Sequence, residues 1–168
     1  LIELIKSGLL FNNNISINTS IIAKSNAKDE IFQNTKVNFH IINGKIDFNK
    51  TRLISDDFGV LEFNNSNLFL KNNKLILNSD VLIDIKDSER LFSFLKTKKS
   101  SRINLRNIFI NLDYDFSSNQ IIFNKVKINN VEVSDRLLKI IEGFKNNNLN
   151  NFNRSRRLIN KLSEAYEG

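Results

Sequence analysis

Val37-Asn38-Phe39-His40-Ile41-Ile42-Asn43-Gly44-Lys45-Ile46-Asp47-Phe48-Asn49 is the stretch on which the fold turns. Val37, Phe39 and Ile41 alternate with Asn38 and His40, and after Asn43-Gly44 the alternation resumes with Ile46 and Phe48 between Lys45, Asp47 and Asn49. Period-two alternation marks a strand with one buried face. An Asn-Gly pair is the strongest short hairpin signal, because both central residues of a type I′ turn need positive φ. Folding the chain there sets Ile41 opposite Ile46 and Phe39 opposite Phe48. The same arithmetic holds around Asn72-Asn73, where Leu70 meets Leu75 and Leu68 meets Leu77. A one-residue slip would send either set to the other face, so the two hairpins specify a register as well as a topology.

The pattern extends in both directions from this hairpin. Residues 1–11 suit a short amphipathic helix; Ile15, Ile17, Thr19 and Ile21 begin a strand, and residues 27–34 read as a loop. Downstream, Ser55-Asp56-Asp57-Phe58-Gly59 forms a turn, and the alternation changes phase near Asn64-Asn65-Ser66, as a β-bulge or a short turn would make it. Leu68, Leu70, Leu75, Leu77, Val81, Ile83 and Ile85 then share one face, opposite Asn67, Lys71, Lys74, Asn78, Asp80 and Asp84. Asp87 or Ser88 can cap a short helix over residues 88–96. A long strand carries Ile108, Ile110, Leu112, Tyr114 and Phe116 on one side. Ser117-Ser118-Asn119 turns it back into Ile121 and Phe123, and a second phase shift near Lys125 precedes Val126 and Ile128.

From Ser134 the spacing becomes helical. Leu137, Leu138, Ile141 and Phe144 make one stripe, and Leu158, Ile159, Leu162 and Tyr166 make another beyond an Asn-rich linker at 146–151. The expected organisation is a mainly β, antiparallel twisted meander over residues 1–133, followed by a helical cap over 134–168. Helices are expected at 88–96, 134–145 and 153–167.

Composition narrows the function more by exclusion than by pointing. The chain is rich in Asn, Ile, Lys and Phe, with five Gly and no Pro, Trp, Cys or Met. AT-biased coding accounts for that skew, so the many Asn residues carry no functional message. The formal charge of +7 comes from lysines scattered among acidic residues, which describes a solvated surface better than a nucleic-acid footprint. Two basic clusters stand out, Lys96, Lys98, Lys99 and Arg102, then Arg154, Arg156, Arg157 and Lys161. Either can meet anionic headgroups or phosphates, although a solvated face is the simpler account. Without cysteine there are no disulfides and no thiolate metal sites. No apolar run approaches the ~20 residues of a transmembrane helix. The chain opens without Met, and it is expected to be a piece of a longer protein.

Enzymatic chemistry finds no foothold. His40, the single histidine, falls on the polar side of its strand, which removes a catalytic triad or a histidine metal site. Asp56-Asp57 and Asp113/Asp115 sit in turns or on polar strand faces. No calcium loop, P-loop or Gly-x-Gly-x-x-Gly occurs. A non-enzyme without metal or cofactor is expected, and nucleic acid is not an expected partner.

The apolar alternation continues over eight to ten expected strands, a wide sheet. Such a sheet either closes on itself or leaves a trough, and an open trough suits acyl chains. The residues expected to line it are Phe39, Ile41, Ile46, Phe48, Leu68, Leu70, Leu75, Leu77, Val81, Ile83, Ile85, Ile108, Ile110 and Leu112. Arg154, Arg157 and Lys161 share a face of the last expected helix and can reach headgroups, with a capping role for that helix as the competing reading.

Asn43-Gly44-Lys45-Ile46-Asp47-Phe48-Asn49-Lys50-Thr51, the Phe58-Gly59 turn before Leu61-Glu62-Phe63, and the tail Arg154-Ser155-Arg156-Arg157-Leu158-Ile159-Asn160-Lys161-Leu162 resemble the C-terminal region of AsmA-family envelope proteins. The resemblance is to versions from AT-rich marine alphaproteobacteria and runs from residue 36 onward. It implies an open, taco-like periplasmic β-groove, tethered to the inner membrane by an N-terminal anchor outside this chain. It implies phospholipid as the partner, carried along the groove toward the outer membrane. An envelope scaffold that binds client β-proteins by strand addition, or a purely structural β domain, are the alternatives.

Overall fold

The computed structural model describes residues 2–25, 31–143 and 152–166. A short helix α1 (Ile2–Lys6) and a 3-10 turn (Leu9–Phe11) lead into β1 (Ser16–Lys24), β2 (Asn34–Ile42), β3 (Lys45–Asp47), β4 (Thr51–Ser55), β5 (Gly59–Lys71) and β6 (Lys74–Ile85). After α2 (Ser88–Phe94) come β7 (Asn107–Asp115), β8 (Gln120–Ile128) and β9 (Val131–Glu132), then α3 (Asp135–Glu142) and α4 (Phe152–Ala165). Among the described residues the nine strands form one sheet in the order β1-β2-β3-β5-β6-β7-β8-β9, with β4 pairing β2 and β5. Every pairing is antiparallel. Because β3 and β4 follow one another between β2 and β5, they act as a single interrupted strand, and the sheet is a meander.

The hairpin registers agree with the alternation. Ile41 pairs Ile46, Leu70 pairs Leu75 and Leu68 pairs Leu77. Strand pairing stops at His40 and Asp47, and beyond it Phe39 and Phe48 meet through their rings, 5.4 Å between centroids. The turns owe their shape to left-handed residues: Asn43 and Gly44 have φ of 51° and 72°, Asn72 and Asn73 52° and 59°. A third turn of this kind, Asn129-Asn130, joins β8 to β9. Among the described residues, seven of the nine non-glycine positions with positive φ are asparagine: 43, 65, 72, 73, 119, 129 and 130. Asn tolerates that region better than other residues with a Cβ. The asparagines that composition alone left without a role thus do the work of glycine in this glycine-poor chain.

Both expected phase shifts are register shifts. On β5 the shift lies between Asn64 and Asn67; on β7–β8 it lies at Asn111/Leu112, where Asn111 pairs Lys125 and Leu112 pairs Phe123. An extra residue in one strand flips parity, so Leu61 and Phe63 share a face with Leu68 and Leu70, and Ile121 and Phe123 share one with Val126 and Ile128. Polar side chains fill the interruption. Asn38 Nδ2 donates to the carbonyl oxygens of Asn49 and Lys50, the Phe48 amide donates to Ser66 Oγ, and Ser79 Oγ donates to the Asn64 carbonyl. Asn38, Thr51, Ser66 and Ser79 are all buried, so these bonds spare the sheet unpaired backbone at its irregularities.

All four expected helices differ from expectation at their boundaries, the one expected over 1–11 being the five-residue α1 followed by the 3-10 turn. α2 stops at Phe94 because Lys96 turns left-handed (φ 54°). The Lys96 amide bonds to the Ser93 carbonyl and the Thr97 amide to the Phe92 carbonyl, the double bond that ends helices. Ser134 stands at the N-cap of α3 without a side-chain capping bond, and α3 ends at Glu142. α4 runs Phe152–Ala165. The expected contributions of Phe144, Lys145 and Glu167, and the linker at 146–151, lie outside the described residues, as do residues 27–30 of the expected loop at 27–34, whose last residue, Asn34, begins β2 instead. Among the described residues no helix is long and apolar enough to cross a membrane.

Candidate functional site

The sheet's registers assemble the apolar face row by row. One row runs Ile41, Ile46, Leu68, Leu77, Tyr114, Ile121 through successive strand pairs. A second runs Leu53, Leu61, Ile83, Ile108, Ile128, and between them lies Thr51, Phe63, Val81, Ile110, Val126. His40 is on the opposite face, its Nδ1 2.8 Å from Asp47 Oδ1. That face carries a polar ladder: Asn78 donates to Asp113, Asn111 and Asn65 donate to Asp80, and Asn124 donates to Asp113.

Helices cover the apolar face at both ends of the strands and divide it into two clusters. At one end Ile5 of α1 and Leu10 pack with Ile41, Ile46, Leu68 and Leu75, with Phe39, Phe48 and Leu77 at the margin. At the other, Phe92 of α2, Leu137 and Ile141 of α3 and Ala165 of α4 pack with Val126 and Ile128. Of the expected trough residues, Ile41, Ile46, Leu68, Leu75 and Val81 are buried; Leu70 is exposed; and Phe39, Phe48, Leu77, Ile83, Ile85, Ile108, Ile110 and Leu112 are half-buried. All fourteen lie on one face, yet they do not line one uncovered trough. Ile41 and Ile46 have no exposed surface (0% each), because α1 and the turn after it sit on them.

Two apolar cavities remain beside these covers. The larger, about 390 Å³, lies between the sheet and α2 and α4, lined by Phe58, Leu61, Ile83, Leu91, Ile159 and Tyr166 among others. The smaller, about 330 Å³, lies against α1 and is lined by Ile5, Phe48, Phe63, Leu68, Leu77 and Phe116 among others. Leu61 and Phe63 are same-face neighbours on β5, roughly 7 Å apart at the usual strand rise. The cavities therefore adjoin along one strand. The polar side chains at the first cavity belong to Ser55, Asp84, Ser163 and Tyr166, with the Phe58 amide donating to Ser55 Oγ. Around it, Arg90 pairs with Asp57, Arg102 with Glu89 at 2.7 Å, and Lys86 Nζ donates to the Asp56 carbonyl.

Phe58, Leu61, Phe63, Leu91 and Tyr166 belong to these cavities and were not among the expected lining residues. Leu61 and Phe63 sit upstream of the β5 bulge, and carrying the alternation through that parity change would have found them. Phe58 reaches the site through a ring contact with Phe94, 5.0 Å between centroids, a pairing over 36 residues that local periodicity cannot foretell. Of the expected headgroup residues, Arg157 and Lys161 are exposed on α4, and the Arg154 side chain lies outside the described residues. Leu158 of α4 would touch a Cβ at Gly143, and Asn160 bonds to Thr97 and Leu95, so α4 is docked on α3 and on the loop after α2. Among the described residues no group of three or more His, Cys, Asp or Glu side chains gathers as a metal site.

What this arrangement defines is a single antiparallel meander with one apolar face, helical covers at its two ends and two adjoining apolar cavities between them. No protein-family model matches the chain, and no curated protein or solved structure matches it.

Proposed function

We propose that the chain is a segment of a bridge-like lipid-transfer protein of the AsmA type, which holds phospholipid acyl chains along its apolar face in the periplasm. Attachment to the inner membrane belongs to a segment outside this chain. The observation that carries the reading is the pair of adjoining cavities, about 390 and 330 Å³, with linings almost wholly aliphatic and aromatic. Each falls in the size range of small-ligand sites. Transfer needs no covalent step; a continuous apolar path lowers the cost of moving acyl chains through water, ~0.8 kcal/mol per CH₂.

A photo-crosslinking amino acid at Leu77 or Ile83, facing the two cavities, is expected to capture phospholipid, and mass spectrometry of extracted protein to identify it. The same probe at Asn78 or Asp113, on the polar face, is expected to capture none. Equal labelling at both sets, or an extract without lipid, rejects the reading and leaves a structural β domain. A second reading, an envelope scaffold that pairs with client strands, is favoured by one observation: β1 is exposed along all nine of its residues.

A further inference from the structure

The two edges of the sheet are built differently. β9 has two residues, and the chain passes at once into α3, whose Leu137 and Ile141 are buried against the sheet. Short edge strands and covered edges are the ordinary protection against pairing with other chains. β1 has neither. It is nine residues long, contains no proline and no bulge, and pairs only with β2 among the described residues. Ile17, Ile21 and Ile22 are 40%, 59% and 67% exposed. Its one charged residue, Lys24, is at its end.

The register tells which backbone groups are free. Ile42 and Lys45 close the two-residue turn at Asn43-Gly44, so even-numbered residues of β2 direct their N–H and C=O toward β3 and odd-numbered ones toward β1. The Asn38 amide, bonded to Thr51 Oγ1 of β4, agrees with this. Ile17, Thr19, Ile21 and Ala23 pair with Ile41, Phe39, Val37 and Thr35 and are the bonded set. Ser16, Asn18, Ser20, Ile22 and Lys24 therefore present N–H and C=O outward.

We propose that two copies of this chain pair antiparallel through β1, about a two-fold axis at Ser20 perpendicular to the sheet. In that register Ser16 meets Lys24, Asn18 meets Ile22 and Ser20 meets its own copy, so outward groups meet outward groups along the whole strand. Ile17 then faces Ala23, and Thr19 faces Ile21, on the apolar side. A perpendicular two-fold keeps the apolar faces of both copies on one side, giving one continuous surface. No like charges come together, since Lys24 falls opposite Ser16. A single strand edge is small against the ~1,000 Å² of a stable interface, so the dimer is concentration-dependent. With +7 on each copy, salt strengthens it.

The test uses the 168-residue chain and two double variants, read by sedimentation velocity across protein concentration and salt. Asn18→Glu with Ile22→Glu sets like charges opposite each other at two symmetry-related places, and the dissociation constant is expected to rise ~tenfold or more. Asn18→Lys with Ile22→Glu sets opposite charges there and is expected to keep the dimer. Both positions lie on the exposed polar side of β1, and equal thermal midpoints for the two variants check that the fold is retained. Monomeric wild-type chain at every concentration overturns the proposal. So does a dimer that responds alike to both variants.

Discussion

Asp115 stands at the end of β7, where the chain turns through Ser117 and Ser118. Loss of water raises its pKa, but the Ser118 hydroxyl, the amides of Ser117 and Ser118 and the Lys74 ammonium more than reverse this and hold it at about 2 against an ordinary 3.8. Its Oδ1 accepts from the two amides at 2.8 and 3.2 Å, and Lys74 Nζ lies 3.3 Å from Oδ2. A carboxyl with a lowered folded pKa stabilises the fold above its unfolded pKa, and that contribution disappears as pH falls through the folded value. Between pH 3.8 and about 2, therefore, the wild type is expected to lose thermal stability more steeply than Asp115→Asn. Parallel melting curves for the two proteins over that window would refute the assignment. Gly59 shows another single-residue demand: at φ 137° a Cβ there would come within 1.9 Å of the Asp84 carbonyl oxygen, so the turn into β5 accepts only glycine.

Short elements in this chain are held by their ends. α2 has seven residues, too few to persist alone, and owes its start to Asp87, whose side chain accepts from the Arg90 amide at 2.9 Å. Its end is a left-handed residue that most helices make glycine and this one makes lysine. Lys96→Gly removes the Cβ strain while keeping both terminal hydrogen bonds, and is expected to stabilise the protein by about 0.5–1 kcal/mol. Lys96→Ala, which keeps the strain, serves as the control and should leave the chemical-denaturation midpoint unmoved. The interrupted strand β3–β4 follows the same logic from the opposite side, since Asn38, Thr51 and Ser66 supply the partners that a regular ladder would have supplied.

For the molecule as a whole, the helices decide how much of the apolar face meets solvent. α4 turns Leu158, Ile159 and Leu162 partly inward and buries Ser163 and Ala165, while Arg157 and Lys161 stay in water. This is the geometry of a cover on the end of the sheet. Replacing Arg154, Arg156 and Arg157 together with glutamine is accordingly expected to leave both the melting temperature and liposome sedimentation nearly unchanged. A large, salt-sensitive loss of liposome binding with the fold intact would instead assign these arginines to a membrane surface.

The long strands, the two hairpin registers and both phase shifts were legible in the amino-acid order, because each depends on neighbours a few residues apart. Alternation of period two fixes which side chains share a face, and the Asn-Gly and Asn-Asn turns fix where the chain reverses. The polar placement of His40 and the shared face of Leu68, Leu77 and Ile83 followed from nothing more. What could not be read was where the amphipathic helices would come to rest. A stripe such as Leu137 and Ile141 states that one side must be buried, but hydrophobic burial is non-directional and names no partner. Only the folded chain shows Ile5 and Leu10 closing over Ile41 and Ile46, Phe58 meeting Phe94, and two cavities left between the covers. The exposure of β1 is of the same kind: its alternation marks it as a strand, whereas its place at an uncovered edge follows from which distant segments pack elsewhere.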